Sequence, residues 1–81
     1  MSLISYRRAT TGEVKVHHVF GLSEIFGFGM AYLYRGDELI CISPNKGEYP
    51  IDVAQVRSAK ANRDRYIADG VRYEPLPELT D

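Results

Sequence analysis

Between Met30 and Ser43 apolar residues fill most positions on either side of one polar break, Arg35-Gly36-Asp37-Glu38. A Gly-Asp pair between two such runs is a two-residue hairpin signal, because glycine accepts the positive φ of a type I′ or II′ turn. As a hairpin, the segment sets Arg35 opposite Glu38, Tyr34 opposite Leu39, Leu33 opposite Ile40, Tyr32 opposite Cys41 and Ala31 opposite Ile42. Opposed residues share a face. One face is then Ala31, Leu33, Ile40 and Ile42; the other is Met30, Tyr32, Tyr34, Leu39 and Cys41. A chain of 81 residues with one long helix covers only one of them. The second needs another sheet, another copy of the chain or a partner.

A first antiparallel hairpin precedes this one. Leu3–Arg8 and Val14–Phe20 alternate around the turn residues Thr10-Thr11-Gly12. Val14, Val16, His18 and Phe20 fall on one side, Lys15, His17 and Val19 on the other. His18 is expected on a semi-buried face and His17 at the surface. Gly21–Gly29, with three glycines among Leu22, Ile25, Phe26 and Phe28, reads either as one helical turn capped by Ser23 or as a loop. Pro44–Tyr49 is a polar connection.

The helix has the clearest boundaries. Asp52 and Gln55 form a capping-box pattern, and Ile51 and Val56 occupy the two hydrophobic-staple positions. Pro50 stops propagation backward. The helix is predicted from Val53 to Asp69, with Gly70 at the left-handed position of a Schellman motif and Val71 against Tyr66. Val53, Val56, Ala59, Tyr66 and Ile67 share one broad face; Ala54, Ala61 and Ala68 read as helix formers facing solvent, the alternative being close packing against a second helix. Val71–Glu74 suggests a short last strand, ended by Pro75-Leu76-Pro77.

The expected fold is α+β: a four- to five-stranded, mainly antiparallel sheet of two hairpins, with one C-terminal helix packed on one face. The aliphatic side, with Ala31 and Leu33, takes the helix. Residues 1–74 make one domain, and 75–81 an extended acidic tail. A chain this short has a thin core. One cysteine excludes an intrachain disulfide. Cys41, between Ile40 and Ile42, reads as a buried structural thiol. No apolar run is long enough to span a bilayer, and no basic stretch followed by an apolar one marks a secretion signal. A cytoplasmic protein is expected. The net charge of −1 gives no footprint for a polyanion.

The chemistry-bearing residues form no catalytic pattern. His17 and His18 are neighbours on a strand, so they point to opposite faces and cannot readily chelate one ion. Zinc needs about four ligands. No spacing places a base beside a Ser, Thr or Cys nucleophile. Asp37-Glu38 reads as a solvated hairpin tip, where tuning a carboxyl pKa is hard. Arg35-Gly36-Asp37 spells a cell-adhesion tripeptide and is read as the turn alone. Phe26-Gly27-Phe28-Gly29-Met30 alternates glycine and aromatics like RNA-binding strand motifs, but Phe26 stands where a base is needed and Met30 where an aromatic is needed. Arg57, Lys60, Arg63 and Arg65 scatter around the helix, with Lys60–Asp64 and Arg65–Asp69 spaced for i,i+4 pairs.

The expectation is a non-enzymatic protein-binding module of adaptor, regulator or inhibitor type, without cofactor or metal, and a candidate homodimer. Its partner-binding residues are expected to be Met30, Tyr32, Tyr34 and Leu39, with Phe26 and Phe28 beside them. Tyrosine is enriched at interface cores. The alternative is a small nucleic-acid-binding accessory protein, in which Tyr32 and Tyr34 stack bases and Arg7, Arg8, Lys15 and the helix cations meet phosphate.

Overall fold

Strands β1 (Ser2–Arg7) and β2 (Val14–Val19) form the first hairpin, as their alternation predicts. The turn closes through Arg8 N–H donating to Glu13 C=O and Gly12 N–H to Arg8 C=O, both at 2.8 Å. The structure, a computed structural model, describes residues 2–43 and 51–80. The Pro44–Tyr49 connection and Pro50 lie outside them.

The second hairpin is replaced by a helix. Residues Gly21–Arg35 form α1, followed directly by β3 (Glu38–Ser43) and then α2 (Val53–Ala68). The periodicity explains the difference. Ile25, Gly29 and Tyr32 recur at i, i+4, i+7, the spacing of one helix face, and all three are buried. Phe26, Phe28, Met30 and Leu33 fill the remaining circumference and pack against the core. A helix covered on several sides is apolar around most of its axis, and so satisfies a two-fold pattern as well as a 3.6-fold one. Gly36 does adopt a positive φ, 97°, but to end a helix. Its N–H donates to Leu33 C=O and that of Asp37 to Tyr32 C=O, both at 3.0 Å. This is the Schellman pairing. Ser23 caps nothing; it lies within the helix, whose N-cap is Phe20 without a side-chain bond.

The sheet has three strands in the order β2-β1-β3, all neighbours antiparallel. Among the described residues, four or five strands with one helix are thus corrected to three strands with two helices; the α+β class stands. Val71–Glu74 forms no strand. Strands β2 and β3 both oppose β1, so they run parallel to each other, and α1 carries the chain back between them. Its 15 residues span about 22 Å at 1.5 Å per residue. A six-residue strand spans about 20 Å, so one helix length returns the chain to the correct end of the sheet.

Both helices contact the sheet and each other. The core they enclose comprises Ile4, Tyr6, Val19, Ile25, Tyr32, Leu39, Ile51 and Val56. Gly29 is where the helices meet: a Cβ there would lie 2.8 Å from Val56 Cγ1. The entry to α2 is as its sequence predicts. Gln55 N–H donates to Asp52 Oδ1 at 2.9 Å, and Asp52 N–H to Gln55 Oε1 at 2.8 Å. Ile51 and Val56 are both buried behind this box. At the exit, Gly70 N–H donates to Ile67 C=O at 3.0 Å and Val71 N–H to Tyr66 C=O at 2.9 Å. The predicted apolar face of α2 holds only over its first half: Tyr66 and Ile67 are exposed, and the buried stripe continues from Val56 into the half-buried Lys60 and Arg63. Ala54, Ala61 and Ala68 face solvent as expected.

Candidate functional site

The six residues expected to form one partner-binding face do not share one. That face required Met30–Tyr34 to be a strand, and the segment is helical. Tyr32 is 3 % exposed and Leu39 2 %. The Tyr32 ring stacks on Tyr6 at 3.9 Å between centroids, its hydroxyl meets His17 Nδ1 at 2.5 Å, and the Arg35 guanidinium lies 5.3 Å from its centroid. Phe28 meets His17 edge-on at 4.4 Å. Tyr32 and Leu39 are core, and Phe28 is partly buried against it.

The two histidines are exchanged relative to expectation. Register pairs His17 with Ile4 and His18 with Leu3. His17 therefore faces the helices, and His18 is exposed on the opposite side. The cause is that Ile4 and Tyr6 choose the covered face, and cross-strand neighbours must follow them.

Asp37, expected at a solvated tip, has a side chain only 1 % exposed. Its Oδ2 accepts from Arg35 Nε at 2.7 Å and pairs with Arg35 Nη2 at 2.5 Å; Arg8 Nη1 lies 3.7 Å away. Its Oδ1 accepts from Ala9 N–H at 2.9 Å. The adhesion-like tripeptide is thus a clasp tying the end of α1 to the end of β1. Among the described residues no group of three or more His, Cys, Asp or Glu side chains gathers as a metal site. No helix among them is long and apolar enough to cross a membrane.

Two surfaces remain as candidates. The first is the sheet face turned away from the helices. Val14 and Val16 are each 54 % exposed there, and Ile40 41 %. Cys41 is also exposed, contrary to its expected burial. A bulge is responsible. Ser5 pairs with Cys41, but Tyr6 pairs with Leu39, so β3 carries one extra residue, Ile40. Two consecutive residues then face outward while Leu39 and Ile42 face the helices. Phe20 continues the outward alternation of β2 and is exposed. Among the described residues the face carries no charge apart from His18 and an Arg7–Glu38 pair at one end, 3.9 Å apart. The sequence carried a signal for it: Val14 and Val16 alternate with polar residues, but alternation cannot say which face the helices take.

The second candidate is a cleft of about 560 Å³ between α1, α2 and the C-terminal segment, lined chiefly by Phe26, Met30, Ala59, Arg63, Tyr73 and Leu76. Phe26, Met30 and Tyr34 are spaced four apart on α1, one helical stripe. Tyr34 is half-exposed beside the cleft. Its hydroxyl donates to Asp64, while Lys60 Nζ and the Arg63 guanidinium lie 4.5 and 5.4 Å from its ring centroid. Lys60 also pairs with Asp64 at 3.0 Å, as its spacing predicts. Arg65 bonds instead to Asn62 at 3.2 Å rather than to Asp69. The Tyr34 and Lys60 hydrogen bonds hold the Asp64 carboxyl below its ordinary 3.8. The tail is laid against α1, with Pro77 beside Gly27 and Leu79 packed on the core.

No protein-family model, curated protein or solved structure matches the chain.

Proposed function

We propose that the protein is a non-enzymatic protein-binding module that docks through the open face of its sheet, with a second copy of the chain as its first partner. One observation carries this reading: among the described residues both helices pack on the Ile4–Tyr6 side of the sheet, and the other side presents Val14, Val16 and Ile40, each more than 40 % exposed. The open sheet face suits another protein surface better than a small molecule, which needs a concave site. It is also nearly uncharged, so two copies approach without like-charge repulsion, and the Arg7–Glu38 pair is internally neutral.

Area limits the strength of the contact. Three strands of six residues cover about 300 Å² at ordinary strand spacings. Stable complexes use about 800 Å² per partner. The association is therefore weak unless Phe20 and its neighbours join it. Adaptor and regulator roles are compatible with such exchangeable contacts.

Nucleic-acid binding is less well supported. It drew on Tyr32 and Tyr34 for stacking, and Tyr32 is stacked inside the core while the Tyr34 ring is flanked by Lys60 and Arg63. The test is isotope-filtered NMR on a mixture of labelled and unlabelled protein at high concentration. Intermolecular contacts are expected at Val14, Val16 and Ile40. Contacts confined to the helices or the tail contradict the reading.

A further inference from the structure

We infer that the cleft between α1, α2 and the C-terminal segment is a binding site for a small monocarboxylate with an apolar body. The inference is independent of the sheet face. The floor is apolar, built from Phe26, Met30, Ala59 and Leu76, and the volume of about 560 Å³ lies within the range of small-molecule sites, about 300–1,000 Å³. The polar residues at the rim are Asn62, Arg63 and Glu74.

Arg63 is the residue that selects the ligand. Its guanidinium lies 5.4 Å from the Tyr34 centroid and 5.5 Å from the Tyr73 centroid, so two rings hold it in place by their faces. A ring takes up the flat side of a guanidinium and leaves its N–H edge for other acceptors. Among the described residues no carboxylate forms an ion pair with Arg63. Asp64, the nearest acid in sequence, is bonded to Tyr34 and Lys60 and acts on Arg63 only through space, without a direct ion pair. A held guanidinium with an open edge beside an apolar floor matches a carboxylate attached to a hydrocarbon or aryl group. Glu74 sets the charge limit. It lines the same cleft and brings a negative charge to it, so a second negative charge on the ligand is disfavoured, and a monocarboxylate fits better than a dicarboxylate or a phosphomonoester.

The experiment is an amide-shift NMR titration with octanoate, octanol and octylammonium, which share one apolar body and differ in head group. Octanoate is expected to bind saturably, with shifts centred on Met30, Ala59, Arg63 and Tyr73, and about tenfold more tightly than octanol, the scale of one charge-assisted hydrogen bond. Octylammonium is expected to be weakest. Arg63→Gln should lower octanoate to the octanol level and leave octanol unchanged. Glu74→Gln should tighten octanoate. Ala59→Phe, which fills the floor without touching a charge, should abolish both. Equal affinity for all three probes, shifts centred on Val14 and Val16, or full binding by Ala59→Phe would overturn the assignment. If Arg63→Gln does not fold, the ranking of the three probes on the unaltered protein decides.

Discussion

Tyr32 and Tyr34 are two residues apart in sequence and have opposite fates, because on a helix that spacing turns the side chain by about 200°. Tyr32 is core. Tyr32→Ala is expected to cost about 3–5 kcal/mol, the scale of removing a buried aromatic. Tyr32→Phe keeps the stack on Tyr6 but loses the bond to His17, a cost of about 1 kcal/mol. Chemical denaturation of the two variants checks both, and an alanine variant with an unchanged midpoint would remove Tyr32 from the core. Tyr34 acts on charge instead. Its hydroxyl is the main reason that the Asp64 carboxyl sits low. A carboxyl depressed in the folded state stabilises above its unfolded value, near 3.8, and that contribution disappears as pH falls through the lower folded value. Tyr34→Phe is expected to move Asp64 up toward 3.8, short of it because Lys60 remains. A carboxyl titration by carbon NMR reads this shift, and no movement would mean that the hydroxyl bond does not form in solution.

The two helices differ in how openly the sequence declares them. Those of α2 are local signals: the Asp52–Gln55 box, the Ile51–Val56 staple and Gly70 each need only a few neighbouring residues. Its predicted end falls within one residue of the observed Ala68. Asp52→Ala should cost about 1 kcal/mol by removing the cap, read as a shift of the thermal midpoint with sheet-face association unaltered. In α1 the signals conflict. Gly27 and Gly29 lower helix propensity by about 1 kcal/mol each relative to alanine, and Gly36-Asp37 serves a hairpin turn and a helix stop through the same positive φ. What resolves the conflict is tertiary: Gly29 lets Val56 approach, which no local rule anticipates. Gly29→Ala is therefore expected to destabilise, since overpacking of about 1–3 kcal/mol outweighs the propensity gained. At Gly27 the added methyl meets only Pro77 of the tail, 3.3 Å away. If the tail yields, Gly27→Ala is neutral or stabilising. Thermal melts of the pair separate the cases; equal responses would mean that the helices do not meet at Gly29.

At the scale of the molecule, the surplus apolar surface was legible but its address was not. An 81-residue chain with this much apolar sequence cannot bury all of it, and the structure leaves Val14, Val16 and Ile40 outside. Locating them required knowing that α1 covers the Ile4–Tyr6 face and that a bulge turns Ile40 outward. Neither follows from alternation alone. Among the described residues the same fold also leaves β2 and β3 at the two sides of a three-stranded sheet. The proposed association uses the face, not the edge. Sedimentation velocity from micromolar to millimolar concentration, on the unaltered protein and on Val16→Lys, tests it. The unaltered protein should show a reversible, concentration-dependent rise toward the dimer. Val16→Lys should stay monomeric with its thermal midpoint nearly unchanged, because position 16 lies outside the core. A protein that remains monomeric throughout, or a Val16→Lys variant that associates as strongly as its parent, would contradict the assignment.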